Sequence, residues 1–172
     1  MSVNRDKPHL YTLPEDRDDE QLANGFINNT WINYLNTRQT QVLPVAGGWL
    51  NVLEKFKAEY APHLRMHSQP DKVAYIVLLI DFDEEYEKRY AQILQAIPEE
   101  LKEQVFVIGV WDEPQDLRED LMLKKSFEEI GSSLADDCHH NTTAMWDHPH
   151  LKHNEPERIR LMKAAKSILF DP

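Results

Sequence analysis

Carboxylates follow three apolar segments of the chain, each close to the point where the segment ends. Glu15 follows the first segment, Asp81 and Asp83 follow a longer one, and Glu113 and Asp116 follow another. Acidic side chains brought together repel one another unless protons or cations bind among them. Clusters of carboxylate oxygens prefer hard ions such as Mg²⁺, Mn²⁺ or Ca²⁺. These five residues therefore predict a site for a divalent cation, with Mg²⁺ or Mn²⁺ as the expected ion.

The segments that precede these carboxylates are predicted to be strands of a mostly parallel sheet. Short apolar runs at 10–13, 41–45, 73–80 and 105–110 alternate with stretches of helical periodicity. The run at 73–80 is unbroken, as is typical of a strand covered on both faces. Strands that alternate with helices indicate βαβ units. We therefore predict an α/β fold with about four strands and helices on both faces of the sheet.

Helical periodicity continues beyond the last predicted strand. Apolar residues at helical spacing indicate one or two helices within 117–134 and a final helix at 159–169. Pro156 suits the start of that final helix, where its missing N–H costs nothing. A chain of 172 residues fits one domain. We predict a core over 9–120 and a helical C-terminal extension over 121–172.

The predicted fold places the carboxylates at one edge of the sheet. Parallel strands all run the same way, and open α/β sheets bind ligands outside the carboxyl ends of their strands. We expect Glu15 to lie within about 8 Å of Asp81 and Asp83, close enough to share metal ions. Asp116 is expected at the same edge. The structural alternative is that such residues cap helices, since 30 residues of the chain are Asp or Glu.

The charge of the chain limits how it could meet nucleic acid. The net charge is −11, and no basic stripe is present to drive binding by counterion release. Bound cations can supply the missing positive charge. Nucleic acid is therefore expected only through metal or through a partner subunit, and a protein partner or homo-oligomer is a further possibility.

Composition also indicates the compartment. A single cysteine, Cys138, suits a reducing environment. The longest apolar run, at 73–80, is far shorter than the roughly 20 residues that span a bilayer. We therefore predict no membrane association and a cytoplasmic location.

The order of the motifs resembles that of the TOPRIM domain, the catalytic fold shared by topoisomerases, bacterial primases and the OLD-family nucleases. Glu15 follows the first predicted strand, Gly47 and Gly48 form a turn after the second, and Asp81-Phe82-Asp83 follows the third. The resemblance implies a Mg²⁺-dependent site for phosphoryl transfer. It also implies that Glu15 is a general acid/base or a ligand, and that both aspartates hold metal.

The segments 105–109 and 113–117 are similar to the OLD-type branch of that family, which adds a further acidic cluster at this point. The leading hypothesis is therefore a nuclease that acts on DNA or RNA through two ions about 4 Å apart. The lysine common in this part of OLD-type nucleases is missing from 109–112. This departure and the acidic charge favour a second hypothesis, a catalytically incomplete scaffold that binds a partner or regulates it. A third hypothesis is a receiver-like domain in which Asp81 accepts phosphate.

Histidines are concentrated in the segment 139–153. His139, His140, His148, His150 and His153 lie there, next to Cys138. Three or four of these side chains could bind zinc, although their spacing matches no standard zinc module. Other hypotheses are ordinary loop hydrogen bonds, or contact of His150 or His153 with a phosphate at the acidic edge.

Overall fold

The described residues, 3–32, 38–122 and 124–170 of a computed structural model, form an α/β fold around a four-stranded parallel sheet. The strands lie in the order β2-β1-β3-β4. They are β1 (His9–Pro14), β2 (Thr40–Val42), β3 (Ala74–Leu79) and β4 (Val105–Ile108). The predicted fold class is confirmed. The second strand is shorter than the predicted 41–45, and the other three differ from the prediction at their ends only.

The register of the sheet aligns the carboxyl ends of three strands. Pro14 of β1 pairs with Leu79 of β3, and Leu79 pairs with Ile108 of β4. The residues that follow these three positions therefore leave the sheet side by side. This alignment is what brings Glu15 and the segment after β3 to the same edge.

Helices cover both faces of the sheet, as predicted. The helices are α1 (Arg17–Ile27), α2 (Trp49–Lys55), α3 (Ala61–Met66), α4 (Tyr86–Ala96), α5 (Pro114–Asp120), α6 (Phe127–His140) and α7 (Glu155–Leu169). Each face has its own apolar core: α2, α3 and α4 pack on one side, and α1, α6 and α7 pack on the other. Pro156 lies in the first turn of α7, as expected. Among the described residues, no helix combines the length and apolar character needed to cross a membrane.

The backbones of helices α1 and α6 lie very close to each other where the two helices cross. A Cβ atom on Gly25 would lie 2.0 Å from the Glu128 carbonyl oxygen, and one on Gly131 would lie 2.0 Å from the Leu22 carbonyl oxygen. Glycine is a weak helix former, but here it is the residue that lets the two backbones meet. This close crossing fixes the position of α1, whose first turn begins two residues after Glu15.

The outer edge of β4 is covered by side chains of the C-terminal segment. Asn154 accepts a hydrogen bond from the Gly109 N–H at 3.1 Å and donates one to the Gly109 carbonyl at 2.9 Å. Glu157 accepts a hydrogen bond from the Val107 N–H at 3.0 Å. Unpaired edge strands are prone to pair with other chains. Side chains that bind backbone groups in this way both close the edge and attach α7 to the sheet.

Candidate metal centre

Glu15 and Asp81 meet at the carboxyl edge of the sheet, as the sequence predicted. Glu15 directly follows β1, and Asp81 lies two residues beyond β3. The Asp81 backbone N–H donates a hydrogen bond of 2.7 Å to Oε2 of Glu15. This bond ties the carboxylate of one loop to the backbone of the next, so the two side chains have a defined relation to each other.

A third carboxylate, Asp19, joins them from the first turn of α1. Asp16 caps this helix, and its Oδ1 accepts a hydrogen bond of 3.1 Å from the Asp19 N–H. The Asp19 side chain is fully buried, at 0% exposure, and neither of its carboxylate oxygens has a hydrogen-bond partner. Asp81 is also buried, and its Oδ1 likewise has no partner. One carboxylate oxygen from each of Glu15, Asp19 and Asp81 lies within 4.8 Å of the other two.

We call Glu15, Asp19 and Asp81 the carboxylate group. Burial raises the pKa of Asp81 to about 8, and the neighbouring carboxylates Glu15 and Asp16 add to this effect. Burial and the charge of Asp81 raise the pKa of Asp19 well above its ordinary value. Burial also raises the pKa of Glu15. Without a cation, the buried pair of Asp19 and Asp81 therefore favours protonation more than free aspartates do.

The carboxylate group fits a hard divalent cation. Buried polar atoms are nearly always hydrogen-bonded, and the neighbouring carboxylates of Asp19 and Asp81 therefore need a shared proton or a cation between them. Only oxygens are offered, which suits Mg²⁺, Mn²⁺ or Ca²⁺ and does not suit softer ions. A cation would balance the charges that otherwise force a proton onto the group.

Asp83 lies outside the carboxylate group. Its Oδ2 forms an ion pair with Nη1 of Arg89 at a distance of 2.9 Å. The same guanidinium nitrogen donates to the Asp81 carbonyl at 2.7 Å. Asp83 and Glu84 both have positive φ, at 47° and 61°, so the chain turns sharply here and the alternate spacing of Asp81 and Asp83 no longer places them on one side. A metal-binding role for Asp83 stays a prediction.

Glu113 and Asp116 also lie outside the carboxylate group. They form a capping box at the start of α5, where each side chain accepts a hydrogen bond from the backbone of the other. This is the helix-capping alternative considered for these residues. Their role as metal ligands stays a prediction, and nothing in their contacts requires a cation.

Asp19 was missed from the sequence because it does not follow a strand. It lies four residues after Glu15, inside an acidic stretch that is typical of a helix N-terminus. The available signal was the spacing: the helix begins at once after β1, so residues one turn into it return to the sheet edge.

The histidines of 139–153 make several separate contacts. His139 stacks on Trp31 at 4.3 Å between ring centroids, His148 lies 3.3 Å from an Asp120 carboxylate oxygen, and His153 bonds to the Gly109 carbonyl oxygen at 2.6 Å. Among the residues that the structure describes, only the carboxylate group places three potential ligands close together. The described part of the segment therefore holds no preassembled zinc site.

His153 is predicted to make the protein sensitive to acid. Its Nε2–H donates to Gly109, its Nδ1 is buried without a partner, and burial lowers its pKa from 6.5 to about 4. As pH falls from about 6.5 to about 4, the unfolded chain takes up a proton that the folded protein resists, so stability decreases; above about pH 6.5 the residue has no effect. After allowance for solvent screening, the loss attributable to His153 is about 1 to 2 kcal/mol.

This prediction is tested by measuring the free energy of unfolding in urea at about pH 7 and about pH 4.5. His153→Gln keeps a donor for the Gly109 carbonyl but cannot ionise, so its stability should fall less between the two pH values than that of the wild type. His140→Gln changes an exposed histidine and should behave as the wild type. Parallel losses in wild type and His153→Gln would show that another group causes the acid sensitivity.

Comparison of the chain with protein-family models, curated proteins and solved structures gives no significant match. The resemblance to TOPRIM domains therefore stays a prediction. The chemistry of this protein has to be inferred from the carboxylate group and its surroundings.

Proposed function

We propose that the protein is a metal-dependent phosphoryl-transfer enzyme of the TOPRIM kind, a nuclease that acts on DNA or RNA. The observation that carries the proposal is the fully buried Asp19 carboxylate, whose two oxygens lack partners beside Glu15 and Asp81. Its position supports the same conclusion, because open parallel sheets bind ligands at the carboxyl edge.

Each member of the carboxylate group has a part in this proposal. Asp19 and Asp81 would hold Mg²⁺ or Mn²⁺, and Glu15 would complete the ligand set or handle a proton. A bound ion of this kind activates water and stabilises charge on a phosphate. Burial raises the pKa of Glu15, a direction that favours a carboxylate able to hold and return a proton. Arg89 positions the loop after β3 through the Asp81 carbonyl and Asp83.

The substrate and setting follow from charge and composition. With a net charge of −11, the protein would meet a polyanion through its bound cations or through a partner subunit. A cytoplasmic location is part of the proposal, because Cys138 is a lone, buried cysteine and suits a reducing compartment.

A second candidate function is a scaffold that binds a partner and does not catalyse. The net charge of −11 favours it, since an acidic surface repels nucleic acid. The guanidinium of Arg89, which lies beside the carboxylate group, is already bonded to Asp83 and to the Asp81 carbonyl. In this case a cation would order the sheet edge for a partner, and the metal site would remain without nuclease activity.

We expect Mg²⁺ to stabilise the wild type and not Asp19→Asn. A ligand that binds only the folded state at a hundred times its Kd adds about 2.7 kcal/mol, which corresponds to a Tm increase of roughly 5 to 10 °C for a chain of this size. Asparagine is neutral and nearly isosteric, so without metal the variant should be at least as stable as the wild type. Thermal unfolding and calorimetric titration with Mg²⁺ or Mn²⁺ measure both effects.

The matched control is Asp71→Asn, the same substitution at an exposed aspartate, and it should respond to Mg²⁺ as the wild type does. A wild-type Tm that is unchanged by Mg²⁺ at about 10 mM, or an undiminished response in Asp19→Asn, would refute the site.

A further inference from the structure

Three histidines meet at the opposite, amino-terminal end of the sheet. His9 begins β1, whereas His63 lies on α3 and His67 follows that helix. The ring centroids of His63 and His67 are 4.1 Å apart, and those of His9 lie 5.2 Å and 5.5 Å from them. His9 is fully buried. We call these three residues the histidine cluster; it is separate from the carboxylate group.

The hydrogen bonds of the histidine cluster favour rings that can bind metal. Nδ1 of His9 lies 2.7 Å from the Lys7 carbonyl oxygen, and Nδ1 of His67 lies 3.0 Å from the His63 carbonyl oxygen. A carbonyl only accepts, so both Nδ1 atoms carry hydrogen and the Nε2 atoms of the neutral rings have free lone pairs. Histidines that bind metals are usually oriented by such a second hydrogen bond, and His9 already has one in an orientation that directs its Nε2 toward His63.

The stacked rings of His63 and His67 are brought together by the end of α3. This helix ends at Met66, and His67 follows it with φ −122° and ψ 66°. Nε2 of His63 lies 2.9 Å from Nε2 of His9. One hydrogen is shared between these two nitrogens, at the place that a metal ion would occupy. The Tyr11 hydroxyl lies 3.4 Å from Nε2 of His63 and offers an oxygen nearby.

We propose that His9, His63 and His67 form a second cation site, for Zn²⁺ or a similar nitrogen-preferring transition metal. Imidazole nitrogens select such ions over Mg²⁺. Two nitrogens bound to one tetrahedral zinc lie roughly 3.4 Å apart, so the His9–His63 contact opens by about 0.5 Å as the ion replaces the shared hydrogen. The three rings do not yet place ligand atoms mutually within reach of one ion. The ring of His67 therefore gives up its hydrogen bond to the His63 carbonyl oxygen and turns toward the pair, and the site forms as the ion binds.

The charges around the histidine cluster set the expected affinity. Arg5 acts electrostatically on both His9 and His63, and a positive charge there opposes a bound cation. Replacement of this residue, in Arg5→Gln, should therefore tighten Zn²⁺ binding by no more than about fivefold, because Arg5 is exposed and its charge is screened. A purely structural role of the histidines predicts no such gain.

The test is titration of the metal-stripped full chain with Zn²⁺ against a competing chelator. The wild type should bind one Zn²⁺ ion with histidine ligands, and His67→Ala should weaken binding at least about tenfold. His67 is partly exposed, so this variant keeps the fold even if His63→Ala does not. The matched control His140→Ala, at an exposed histidine outside the histidine cluster, should leave Zn²⁺ affinity unchanged. Absence of Zn²⁺ binding in the wild type, or equal affinity in wild type and His67→Ala, would overturn the proposal.

Discussion

With Mn²⁺, the purified protein is expected to cleave or nick DNA or RNA, and Asp81→Asn is expected to lower that rate by about a hundredfold to a thousandfold or more. Asparagine removes a charge that the cation needs while it preserves the size of the side chain. The backbone N–H of residue 81 still donates to Glu15, so the loop should keep its position. Cleavage of labelled single-stranded and duplex substrates, measured as initial rates, gives the comparison.

Two controls make this result interpretable. Asp71→Asn, at an exposed position, should retain the wild-type rate, and circular dichroism should show that Asp81→Asn is folded. Equal rates in wild type and Asp81→Asn would mean that the activity belongs to a contaminant. Clear metal binding without cleavage of any nucleic acid would favour the scaffold function.

The largest loss of stability is expected from Glu157→Ala. Glu157 is 3% exposed; it accepts hydrogen bonds from the Tyr90 hydroxyl at 2.6 Å and the Val107 N–H at 3.0 Å, and pairs with Arg160 at 2.8 Å. Its removal leaves the buried Val107 N–H and the Tyr90 hydroxyl without their acceptor, whereas Arg160 keeps its bond to the Lys102 carbonyl at 2.7 Å. Breaking one partner of a buried charged network costs about 3 to 5 kcal/mol, or roughly 10 °C in Tm.

Thermal and urea unfolding of Glu157→Ala, Glu157→Gln and Glu155→Ala test this expectation. Glutamine keeps one acceptor oxygen, so Glu157→Gln should lose less stability than the alanine variant. Glu155 is exposed on the same helix, and Glu155→Ala should change stability by no more than about 0.5 kcal/mol. A loss in Glu157→Ala as small as that in Glu155→Ala would show that α7 is attached to the sheet mainly by its apolar face.

The amino-acid pattern was sufficient to predict the fold class and to place Glu15 beside Asp81 at the carboxyl edge of the sheet. Unbroken apolar runs require burial on both faces, and this requirement leads to parallel strands covered by helices. Since parallel strands share a carboxyl edge, the sequence alone indicates that Glu15 and Asp81 lie close together. Both inferences depend on local periodicity and on one topological rule, and they need no knowledge of distances.

Only the tertiary structure decided which carboxylates form the group. Asp83 and Asp19 are equally acidic in the sequence, but a turn with positive φ brings Asp83 to Arg89, whereas the first turn of α1 buries Asp19. Burial and the absence of hydrogen-bond partners arise from packing between elements, which periodicity does not encode. The histidine cluster has the same origin, since His9 and His63 lie 54 residues apart in the chain and meet only when α3 packs against β1.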